Sequence, residues 1–216
     1  MFGHRVPAAR CPAFGLALVC GMLCAAGASG ARAHAFTAGA DTYLRFVEGA
    51  AVPFSAPAVA LCLVPFGLLV GAWRRDGLPA VWPALLVGLG VGIAVAPLVA
   101  PWISFLTLGA GALCASAAAL AWLPLARIGM AVVALIVGLL ATSASLEGHA
   151  LGEVPVATLF GVFFGANLTV ALPAAMVSSS IEHWWPDWTR IGWRIVSSWS
   201  GAIALIYLAF EVRPLP

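Results

Sequence analysis

The chain has 216 residues, 63% of them hydrophobic and only 8% charged, with a mean hydropathy of +1.06. Soluble domains carry about 25% charged residues, so an ordinary water-soluble fold is excluded, as are disordered tails and nucleic-acid binders, which need abundant charge. All ten basic residues are Arg, and the net charge of +2 is too near neutral to imply an anionic partner. What remains is an all-α, polytopic membrane helix bundle forming one domain.

The first 33 residues read as a cleavable signal peptide. Arg5 and Arg10 form a basic start, Ala13 to Ala26 an apolar run, and Ala31-Arg32-Ala33 an A-x-A site before His34. The alternative is an uncleaved signal anchor. Cleavage leaves 34–216 with seven Arg and eight acids, a net charge of −1, and two of the five cysteines. Cys62 and Cys114 both lie in apolar runs, where a thiol usually acts as a small hydrophobe. An exporting context would also permit a disulfide between them.

Six apolar stretches follow, at 50–73, 79–100, 102–123, 127–146, 154–179 and 192–210. Each has about the twenty residues that a helix needs to cross the hydrocarbon core. The runs are apolar on every face, so the alternating pattern of an outer-membrane barrel is absent. Gly88 and Gly92, and Ala157, Gly161 and Gly165, recur at four-residue spacing, which lets helix backbones approach closely.

With the signal peptide exported, the mature N-terminus lies outside, and so does the C-terminus. Five of the seven mature arginines (Arg74, Arg75, Arg127, Arg190 and Arg194) then fall inside, as the positive-inside rule expects for an inner, cytoplasmic membrane. Arg45, Arg213 and most of the acids fall outside. Tryptophans cluster near span ends, and Trp184-Trp185-Pro186-Asp187-Trp188 reads as an aromatic belt before it reads as a ligand platform.

No Asp, Glu or His sits mid-span, which weighs against proton-coupled transport. The internal hydroxyls can bond to their own helix carbonyls. Asn167 differs: its amide is costly to leave unpaired in lipid, so it packs against another helix or lines a pathway. Ligand-type residues gather outside, in the loop Leu146-Glu147-Gly148-His149-Ala150-Leu151-Gly152-Glu153. Two carboxylates and an imidazole suit a borderline divalent cation, and His34 would add its ring and free α-amino group on the same side. A polar exposed loop needs no such explanation. Nothing resembling a nucleophile elbow, P-loop, CxxC pair or H-E-x-x-H motif occurs, so no enzyme and no required cofactor is expected.

The layout, a signal peptide ending before His and then six spans, resembles the HupE/UreJ family of hydrogenase and urease accessory membrane proteins. Its first-span pattern F-x-x-G-x-x-H-P-x-x-G-x-D-H falls on residues 46–59. Phe46, Gly49 and Pro53 match, while the two His and the Asp fall on Val52, Val59 and Ala58. The second pattern, H-G-H-A-H-G, looks like Glu147-Gly148-His149-Ala150-Leu151-Gly152, with both outer His replaced. A family His in the fifth span has Pro173 in the corresponding region. The resemblance implies facilitated entry of a divalent metal, nickel or cobalt, for metalloenzyme maturation. His149, Glu147, Glu153 and His34 are then the metal ligands, and Asn167 is a pathway residue. The departures leave a second reading open: a membrane scaffold or assembly factor, with a membrane-protein partner, that has lost the metal path.

Overall fold

The computed structural model describes residues 41–74, 76–99, 102–120, 125–149, 152–183 and 186–212, so the signal-peptide segment and His34 lie outside the described residues. Seven helices account for nearly all of the described residues: α1 Thr42–Ser55, α2 Pro57–Trp73, α3 Gly77–Val95, α4 Ile103–Leu120, α5 Arg127–Ser145, α6 Val156–His183 and α7 Pro186–Val212. A short 3-10 turn, Ala96–Leu98, extends α3.

Helices α3 to α7 are each long and apolar enough to span a membrane. The expected first span is not one straight helix. It is the pair α1 and α2, bent by 74° and joined at Ala56. The cause is local. A proline disfavours helical backbone in the residue before it, and Ala56, preceding Pro57, is extended at φ −84° and ψ 110°. Pro57 then starts α2, where its missing N–H costs nothing and its fixed φ suits the first helical turn. Among the described residues, five helices are thus long and apolar enough to span, or six if the bent pair counts as one span.

Helix α2 lies at the centre and touches every other helix. Ten of its residues are buried, from Val59 to Gly71, as expected of a helix that is apolar all round. The largest pairings join helices distant in sequence: α3 with α5, α1 with α6, α4 with α7, and α2 with both α4 and α6. Lipid is as apolar as leucine, so these seams depend on close packing and hydrogen bonds rather than on hydrophobic burial. The small residues supply the first. A Cβ on Gly88 would meet the Leu135 carbonyl, and one on Gly161 or Gly165 would meet the α1 backbone at Phe46 or Ala50. Hydroxyls supply the second. Thr142 Oγ1 donates to Leu89 O at 2.9 Å and Ser143 Oγ to Gly92 O at 3.1 Å, tying α5 to α3. Thr107, Ser116, Ser145, Thr169, Ser198 and Ser200 bond back within their own helices, as expected. Cys62 and Cys114 are buried and free, so the disulfide permitted by an exporting context is not formed.

The main core runs along the bundle axis through Leu63, Phe66, Leu85, Leu89, Met130, Val137 and Val170. A second cluster of Val52, Ala96, Leu146, Val154 and Val162 lies toward the end that carries Glu147 and His149, here the His149 end. At the opposite, arginine end, Trp73 Nε1 reaches Leu125 O at 3.2 Å and Arg194 Nε reaches Ala119 O at 2.7 Å. The junctions that charge assigned to one side of the membrane therefore do meet at one end of the bundle.

Candidate functional site

At the His149 end the chain leaves α5 through a tight turn. His149 N–H donates to Leu146 O at 3.1 Å, and Gly148 has φ 82°, a backbone region that side chains disfavour. Gly152, at φ 94°, turns the chain again before α6. These two glycines place Glu147, His149 and Glu153 on one short loop. The carboxylate of Glu147 is half-buried and accepts a 2.7 Å bond from Ser104 Oγ at the start of α4. His149 Nδ1 lies 3.2 Å from the carbonyl oxygen of Glu147, which is a hydrogen bond in the Nδ1–H tautomer. That tautomer carries its lone pair on Nε2, the arrangement that metal-bound histidines use. Glu153 is exposed and is itself engaged within the fold.

The loop therefore gathers the expected side chains in sequence but not into a coordination shell. Among the described residues, no three His, Cys, Asp or Glu side chains come close enough to hold one ion. A stable divalent site of this class usually takes four or more donors, so these residues would need waters, a loop rearrangement or ligands from elsewhere in the chain.

The other positions marked by the family resemblance are apolar in fact as well as in name. Val52 and Val59 are buried, the first in the cluster at the His149 end and the second in the main core. Both flank the 74° break, the place where an unwound backbone in a transporter would bind its cargo. Pro173 is buried where α6 packs on α2, with its ring against Gly67. Asn167 is half-buried and satisfied: its Nδ2 donates to Phe163 O at 2.8 Å, and its Oδ1 accepts from Trp82 Nε1 at 3.0 Å. The amide joins α6 to α3, which agrees with its expected packing against another helix.

Sequence reasoning passed over two features. On the α1 side, Arg45 Nε and Thr158 Oγ1 are buried without a hydrogen-bond partner among the described residues. At the arginine end a cavity of about 510 Å³ opens among α2, α4, α6 and α7, lined by Arg74, Arg190, Arg194, Glu182, Trp73 and Trp193 together with smaller residues. Its signal in the sequence was present but diffuse, as Arg beside Trp at two span ends assigned to the same side. Trp188, by contrast, is 73% exposed on the first turns of α7, in keeping with a belt residue. Comparison with protein-family models, with curated proteins and with solved structures returns no match.

Proposed function

We propose that this polytopic membrane protein is a non-conducting scaffold or assembly factor with a HupE/UreJ-like layout. It sits in the inner membrane with its arginine end in the cytoplasm and both mature termini outside. The observation that carries this reading is the filling of the bundle interior. At the positions where the resembled family keeps its first-span His and Asp residues, this chain has Val52, Val59 and Ala58, the two valines in the packed core and Ala58 half-buried. The buried hydroxyls of Thr107, Thr142, Ser143 and Thr169 donate to backbone carbonyls, so their protons serve helix packing.

One observation favours a second reading, facilitated entry of nickel or cobalt. Glu147, His149 and Glu153 share one loop bent by two glycines, where an ion could first be captured. Metal uptake by cells with and without the chain separates the two. The scaffold reading expects equal uptake, with a membrane-protein partner co-purifying in mild detergent. Uptake that depends on the chain and is lost in His149→Ala would overturn it.

A further inference from the structure

The cavity at the arginine end has a volume of about 510 Å³, inside the roughly 300–1,000 Å³ range of small-ligand pockets. Three guanidiniums line it against one carboxylate, Glu182. Arginines at the cytoplasmic end of a bundle are expected on charge alone, but two of these are held in place. Arg194 is anchored through Nε to Ala119 O at 2.7 Å, which leaves its two terminal nitrogens to face a ligand as a fork. Arg74 lies over the ring of Trp73, 5.0 Å from its centroid, which fixes the guanidinium plane and leaves its edge donors available. The cavity also has a neutral donor. Ser197 is only 2% exposed and lines the cavity. Its neighbours Ser198 and Ser200 both bond back to their own helix.

We propose that this cavity binds the phosphate group of an anionic ligand, clamped by Arg74, Arg190 and Arg194 with Ser197 donating a further hydrogen bond. Planar guanidiniums match phosphate oxygens two at a time, and basic pockets between helices at a membrane surface are suited to phosphorylated headgroups. The cavity exceeds a bare phosphate and has room for the glycerol or similar group that such a ligand carries. The same chemistry is offered by an anionic phospholipid entering from the bilayer and by a small phosphate ester entering from water.

The full chain in phosphatidylcholine nanodiscs, with or without added phosphatidylglycerol, distinguishes the sources. Native mass spectrometry counts the lipid retained, and calorimetric titration with sn-glycerol 3-phosphate or inorganic phosphate reads the soluble source. One of these probes binds at a stoichiometry of one, and Arg190→Gln weakens it roughly tenfold, the loss expected for one charge-assisted hydrogen bond. Ser197→Ala, a small change that keeps the helix, weakens it less and gives a folded test should an arginine variant misfold. Saturable binding of phosphatidylglycerol alone assigns a lipid site, and binding of the esters alone assigns a soluble ligand; both support the proposal. No binding of any probe, or equal binding by wild type, Arg190→Gln and Ser197→Ala, overturns it.

Discussion

The two ends of the bundle are built differently. In the loop at the His149 end the ligand-type groups close on the fold itself: Ser104 holds Glu147, the carbonyl of Glu147 meets His149, and an apolar cluster lies beneath. At the arginine end the polar groups surround a space, and anchors such as Ala119 O and the Trp73 ring hold guanidiniums at its rim. A cluster of ligand-type residues in sequence is thus no guide to where a ligand can enter. What matters is whether those residues spend their donors and acceptors on each other or face a cavity.

The sharpest test of that contrast is steric. Gly161→Leu drives a side chain into the α1 backbone at Phe46 and Ala50 and should destabilise the bundle by about 3 kcal/mol or more. Gly192→Leu, toward the arginine end with nothing within 4 Å of its Cβ position, should change stability by less than about 0.5 kcal/mol. Unfolding in mixed micelles measures both, and comparable losses would erase the distinction between a packed helix seam and an open helix face. A smaller effect is expected from Thr142→Val, which keeps the shape but removes the bond to Leu89 O; an interhelical hydrogen bond of this kind contributes about 1 kcal/mol in a membrane protein. A further modest effect is expected from Ser104→Ala. It frees the Glu147 carboxylate at a cost below about 1 kcal/mol, because that group is only half-buried and water can replace the hydroxyl. If nickel then binds to Ser104→Ala and not to the wild type, Ser104 is what occupies the carboxylate at the His149 end.

Much of the fold was legible because hydropathy and length act locally. The spans found at Gly77–Leu98, Ile103–Leu120 and Arg127–Ser145 lie close to the apolar runs, and Gly88, Gly92, Gly161 and Gly165 do line the tight seams. The break at Ala56 was hidden inside a continuous apolar stretch, since hydropathy is blind to backbone angle. Pro57 was its local signal. The Trp82–Asn167 bond spans 85 residues, and the arginine cavity joins the end of α2 to the start of α7. Neither follows from spacing along the chain, because both depend on which helices pair. Charge sorting nonetheless placed Arg74, Arg190 and Arg194 at a common end, and the cavity shows what that clustering encloses.

Nickel influx into sealed proteoliposomes containing the purified chain and loaded with a metal-quenched dye reads directly whether the bundle interior conducts. A non-conducting interior gives influx equal to that of protein-free vesicles, unchanged by His149→Ala. Saturable influx above that background, abolished by His149→Ala, would contradict it.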